Sequence, residues 1–271
     1  MFKLITLLLF FSLLYLQTPY AQQEYTPAQE AIIEKYLDKG AYQHHYISQE
    51  WTDYIDTALS LDTTIAILWE YKALPLWKTR RYEMALVSYD RAVQYNRKRN
   101  LSRRGFLKCI FQKNYAGALT DLQMAKKEFG LGYENDHTYD FYIALCHLQL
   151  GNLEQARRVL QTELDRAAGR PAGYTVHYLE LFFMGIIQYE LRDYDKAIDY
   201  LDRSIKQYSQ FSDAKYYKGI CQLKKGAKIQ YRNLMHEAKA DYDKGFTISE
   251  DSRFYEPYPY QVNWSMVTLP E

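Results

Sequence analysis

Cysteine is scarce in this chain, and so is any surplus of one charge. Three cysteines (Cys109, Cys146, Cys221) in 271 residues are an odd number and too few for a disulfide framework. Each lies in an apolar run (FLKCIFQ, IALCHLQL, KGICQLK), the setting of a buried free thiol that acts as a small hydrophobe. With 34 Lys and Arg against 33 Asp and Glu the net charge is +1, which excludes nucleic-acid binding driven by net charge. No CxxC, HExxH, P-loop or GxSxG pattern is present. His44 and His45 are adjacent and His147 follows Cys146, so neither pair has the spacing of two ligands on one helix face. The expectation is no metal, no cofactor and no enzymatic activity.

A membrane-spanning run is missing as well. The longest apolar stretch, Leu4 to Leu16, is 13 residues and is broken only by Thr6 and Ser12. A spanning helix needs about 20. Lys3 precedes this stretch, and QTPYA and then the polar QQEYTPAQE follow it, which is the anatomy of a signal peptide. Cleavage is predicted between Ala21 and Gln22, although Pro19 fits the small-residue rule poorly. No cysteine lies near the junction to carry a lipid. Residues 1–21 are thus read as a leader, and the mature chain as exported, periplasmic or secreted, without stable membrane insertion. In a Gram-negative host the compartment is the periplasm.

What remains is an ordinary folded composition, 48% apolar and 25% charged, sized for one large domain or two small ones. The unusual figure is 28 tyrosines, against 12 Phe and 4 Trp. Tyrosine offers a large apolar face with a polar tip and suits a surface that is both sticky and wet.

The chain repeats itself. RRYEMALVSYDRAV, KNYAGALTDLQMAK, GNLEQARRVLQTEL and RDYDKAIDYLDRSI align on Tyr82, Tyr115, Leu153 and Tyr194. Three residues later comes Ala85, Ala118, Ala156 or Ala197, and four further on a large apolar residue: Tyr89, Leu122, Leu160, Leu201. The next small position holds Ala92, Ala125 and Ser204, with Glu163 as the exception. Nine residues upstream of the first anchor lie Ala73, Ala144 and Gly185. Gly105 stands ten residues before Tyr115, so one residue is inserted there. Small residues on two successive helices let the backbones approach, and the large residues at helical spacing fill the space around them. A pair this size cannot bury its apolar face alone, so pairs stack.

This pattern resembles the tetratricopeptide repeat family, with its period of about 34 residues. Trp69 takes the family's Trp position before Ala73. YIDTALSLDTT reads as the closing half of an earlier repeat, YYKGICQLKKG as a later first helix and HEAKADYDKGFTI as its second, with Ala238 at the closing position and Gly219 small. The resemblance implies an all-α, right-handed superhelical solenoid of five to six antiparallel helix pairs over residues 22–251. Spacings between Ala85, Ala118, Ala156, Ala197 and Ala238 are 33, 38, 41 and 41. They predict insertions at GLGYEND and AAGRPAGY between repeats and at AKIQYRNLM inside the last one. Pro75 is expected to kink or break the helix that holds it.

In that family the first helix of each pair lines a concave groove that takes peptides or protein segments. Carried over by position, the groove residues are Glu70, Leu74 and Trp77, then Phe141, Phe182, Tyr189 and Tyr216. The Lys and Asn clamp for a terminal carboxylate is absent from these positions, which favours an apolar or aromatic segment. Residues 252–271 differ in kind. Pro257 and Pro259 forbid a helix, while five aromatics from Phe254 to Trp264 are too many for a solvated tail. A cap on the last repeat or a fold-back into the groove is expected first, a recognition segment second. The leading functional expectation is a non-catalytic scaffold for an unidentified protein or peptide partner. A glycan-binding accessory protein of the cell envelope is the alternative, with aromatics beside acids such as Glu70 or Glu190.

Overall fold

The structure is a computed structural model that describes residues 25–169 and 176–270. The leader and most of AAGRPAGY lie outside the described residues. Within them the chain is six antiparallel helix pairs, as the resemblance implies, followed by an extension that is irregular apart from two short 3-10 turns, Asp251–Phe254 and Trp264–Met266. Helix α1 (Pro27–Ile32) continues as a π-helical stretch, Ile33–Asp38, and pairs with α2 (Gln49–Leu61). The next pairs are α3 (Ala66–Lys78) with α4 (Tyr82–Tyr95), and α5 (Arg97–Leu107) with α6 (Tyr115–Phe129). Then come α7 (Tyr139–Gln149) with α8 (Leu153–Ala168), α9 (Tyr178–Glu190) with α10 (Tyr194–Gln207), and α11 (Ser212–Lys224) with α12 (Lys228–Asp243). Each helix packs chiefly on its sequence neighbours, so the array is a solenoid whose main core runs along the stack from α3 to α11.

The small residues sit where backbones meet. Ala73, Ala85, Ala118, Ala144, Ala156, Ala197 and Ala238 are fully buried, and Trp69 is half-buried with its indole donating to the Thr63 carbonyl at 2.8 Å. A Cβ added at Gly185 meets the Leu201 side chain at 2.8 Å, and one at Gly105 meets Leu122 at 2.7 Å. Turn geometry fixes the register of each pair. Arg80, Lys113, Gly151, Arg192 and Gly226 all take a left-handed conformation, with φ between 58° and 84°. Each stands two residues before the second helix of its pair.

That register corrects the reading of the last pair. Counting from Gly226, the partner of Ala197 is Tyr231, the partner of Leu201 is Met235, and Ala238 matches Ser204. The neighbours agree: Gly219 faces Met235 and the Tyr231 carbonyl, as Gly185 faces Leu201 and the Ala197 carbonyl. AKIQYRNLM is therefore no insertion but the first half of α12, and Ala238 lies two turns beyond the position predicted for it. Tyr231 is tolerated at a small position because this pair ends the array. Its ring packs into a terminal cluster with Val262 and Trp264.

The extra residue before Tyr115 is absorbed by a π-helical turn, Lys108–Gln112, at the end of α5. Helix α3 does not break at Pro75 but runs on to Lys78. The proline lacks the N–H that would reach the Tyr71 carbonyl. The indole of Trp51, from the preceding pair, donates to that carbonyl instead at 3.2 Å. GLGYEND forms, with His137 and Thr138, a small hairpin of β1 (Tyr133–Glu134) and β2 (His137–Thr138). Cys109, Cys146 and Cys221 are buried thiols, and the first two lie 3.7 Å apart.

Candidate interaction groove

After α12 the chain doubles back over the face built by the first helices. Asp213, in the first turn of α11, fixes the start. Its carboxylate accepts from Thr247 Oγ1 (2.6 Å) and the Ile248 amide (3.1 Å), and from the Val262 amide of the returning leg (2.7 Å). Burial pushes the Asp213 carboxyl above its ordinary value, against the pull of those three donors. The Ser249 amide then donates to Tyr178 Oη at 3.0 Å.

From there the tail crosses to the C-terminal ends of the first helices. Arg80 donates to the Tyr255 carbonyl (2.7 Å), and the Tyr255 ring lies under the Lys78 ammonium and beside Phe111. Tyr82 Oη donates to Glu256 (2.6 Å), and Lys113 donates to the Pro257 carbonyl. On the way back Tyr258 is buried in the main core. Tyr260 Oη donates to Glu190 (2.8 Å) and its ring packs on Tyr217. Trp264 Nε1 donates to Ser212 Oγ (3.1 Å), with its ring against Tyr216 and Tyr242. Pro257 and Pro259 keep the turning point extended.

The tail leaves one stretch of the face open. A cavity of about 480 Å³ lies between α3, α5, the hairpin and the tail segment 249–255. Leu74, Trp77, Phe106 and Phe111 give it apolar walls, while Glu70, Lys78, Arg103, Asp136 and Asp251 bring charge to its edge. Two ion pairs stiffen that edge. Glu70 meets Arg99 Nε at 2.8 Å, and Arg103 Nε meets Glu134 at 2.8 Å. Burial opposes the Arg103 charge, but Glu134, Tyr89 and Glu70 outweigh it and raise its pKa.

The predicted groove residues divide. Glu70, Leu74 and Trp77 line the cavity. Phe141 and Phe182 have no exposed surface and are core residues, as are their neighbours Tyr142 and Phe183, because α7 and α9 are each packed against the helices before and after them. Phe141 stacks on His137 and packs edge-on to Phe183. Tyr189 and Tyr216 are half-buried. The first packs on Tyr194 and Tyr217, and the second lies beneath Trp264.

Next to the cavity lies a buried polar cluster that the sequence pattern did not single out. His137 Nε2 is 3.4 Å from Glu250 Oε1, and His137 Nδ1 is 3.8 Å from Glu180 Oε1. His177 meets the His137 ring edge-on, with centroids 5.0 Å apart. Burial disfavours the His137 imidazolium, yet the two carboxylates outweigh it and hold its pKa above the ordinary value. Burial and the neighbouring His137 hold His177 below its own. These residues come from the hairpin, the start of α9 and the tail. Only the hairpin insertion hinted at them.

Residues 184–228 match the tetratricopeptide repeat family model, and the described helix pairs continue that unit on both sides. The chain has the tetratricopeptide-repeat fold. Solved structures of similar fold include PilW, a widely conserved type IV pilus biogenesis factor, at 14% identity and a TM-score of 0.60, over 85% of this chain and 99% of that one. A tetratricopeptide repeat protein from Parabacteroides merdae is 17% identical with a TM-score of 0.60, over 83% and 81%. YrrB, a repeat protein with an unusual peptide-binding site, is 18% identical with a TM-score of 0.50, over 70% and 92%. No curated protein matches the sequence. The repeat fold supports a protein-interaction scaffold, and among the described residues no helix is long and apolar enough to cross a membrane.

Proposed function

We propose that this repeat protein is an exported, non-catalytic scaffold that seats an apolar or aromatic segment of a protein partner in the open cavity between α3, α5 and the tail. The cavity carries the reading. Its volume of about 480 Å³ falls within the roughly 300–1,000 Å³ range of built ligand sites. Apolar walls under a charged edge suit a peptide side chain held by its ring and oriented by its backbone. The peptide-binding repeat protein YrrB and the pilus biogenesis factor PilW share the fold, which accords with a role in an assembly. The acids suggested for sugar recognition are already engaged, Glu70 by Arg99 and Glu190 by Tyr260, which weighs against the glycan reading.

A photo-crosslinking residue at position 74, in the cavity wall, tests the seat in the native envelope. Position 87 on α4, where Val87 is 68% exposed, is the control. A discrete partner adduct from position 74 and none from 87 supports the reading, and equal adducts from both overturn it. Export is tested on the same material. The intact mass of the mature chain should begin at Gln22, and a chain that retains Met1 in the cytosolic fraction defeats that part.

A further inference from the structure

The structure assigns a divalent transition-metal site to His137, His177 and Glu250. One donor atom from each lies within 4.8 Å of the other two. Three atoms so placed fit within a circle of radius about 2.8 Å, and zinc bonds to imidazole nitrogen and carboxylate oxygen run to about 2.0–2.2 Å. Side-chain shifts under about 1 Å close the set. Two imidazoles and a carboxylate, with a fourth position for water, are a donor set that zinc accepts.

Two further observations point to an ion. His137 Nδ1 and Glu180 Oε2 are buried without a hydrogen-bond partner, although His137 has no exposed surface and Glu180 only 3%. Buried polar atoms of this kind are costly unless something satisfies them. With an ion on His137 Nε2, Nδ1 is free to donate to Glu180, the carboxylate–histidine–metal arrangement that orients a ligand ring. Charge agrees as well. No Lys or Arg among the described residues forms an ion pair with Glu180 or Glu250. Two neutral imidazoles, two carboxylates and one divalent ion sum to zero.

Position gives the site a consequence. His137 belongs to the hairpin, His177 caps α9, and Glu250 belongs to the tail where it borders the cavity. A bound ion ties all three together and fixes the tail segment that forms one wall of the groove. This site stands whether or not the cavity receives a peptide.

Zinc ion alone, titrated calorimetrically into the chelator-stripped full-length protein, is the test. One equivalent should bind. His177→Asn keeps an acceptor for the Leu179 amide and removes the Nε2 donor, and Glu250→Gln removes the anionic ligand. Each should weaken binding by at least 100-fold while the metal-free variants melt with the wild type. Glu180→Gln should weaken it ~10–100-fold, as loss of an orienting partner does. Replacing the adjacent His44 and His45 by Ala should change nothing. Zinc should also slow amide exchange at 249–255 in the wild type alone. Failure of one-equivalent binding, or affinity within threefold of wild type in both ligand variants, overturns the assignment.

Discussion

The two halves of the first-helix face are built from the same repeat and end up differently. Over α9 and α11 the tail is buried: Tyr258, Val262 and Trp264 are nearly inaccessible, and Asp213 gathers three donors from two legs. Over α3 and the end of α5 the tail touches through polar contacts at its turning point, and a cavity stays open beside it. The closed half has aromatic first helices, Phe182 and Phe183 in α9 and Tyr216 and Tyr217 in α11. The open half has Glu70, Lys78 and Arg103. A solenoid must cover its apolar end but can leave a charged stretch to solvent, so the tail closes one half and the repeats hold the other open.

Cutting the chain after Asp251 breaks this contrast most severely. The apolar surface that Tyr258, Val262 and Trp264 cover is left exposed, at ~1.5–3 kcal/mol for each, so a loss on the order of 5 kcal/mol is expected. Amide exchange should accelerate in α9–α12 and stay unchanged in α1–α4. Next in size is Asp213→Ala, which strands three buried donors and should cost ~3 kcal/mol or more in denaturant unfolding. Trp51→Phe acts in the open half. It leaves the Tyr71 carbonyl unpaired beside Pro75, for about 1–2 kcal/mol, with faster exchange confined to α2 and α3.

A pH series sharpens the picture further. Asp213 has a raised pKa when folded, so the fold favours its protonated form. The stability tied to that proton is fully present below the ordinary carboxylate pKa and is lost as pH rises through the folded value. The melting difference between wild type and Asp213→Asn should therefore move in favour of wild type as pH falls toward the carboxylate range. The smallest effect is expected for Arg80→Ala. Arg80 lies 3.6 Å from Glu256 and is 65% exposed, and it should cost under ~1 kcal/mol while loosening residues 254–257 in amide exchange.

The helix pairs were legible because their signal is local. Ala73 and Ala85, or Gly185 and Ala197, stand at fixed spacings that any straight helix converts into one contact line. Ala238 misled because it too is a small residue at a plausible spacing. Only the left-handed turn at Gly226 shows that α12 starts two turns earlier. Phe141 and Phe182 misled differently. First-helix position alone does not distinguish the groove surface from the layer beneath it, and tight pair packing turned both rings inward. The indole that completes the Tyr71 carbonyl comes from another pair, so Pro75 read as a defect when taken by itself.

Composition and periodicity by themselves thus determine the repeats, their small-residue joints and the unlike character of the tail, because each depends on residues a few turns apart. Tertiary structure alone decided the path of the tail, the position of the cavity and the meeting of His137, His177 and Glu250. Those are contacts between segments far apart in the chain, and their distances are set by how the pairs stack and how the terminal apolar face is covered.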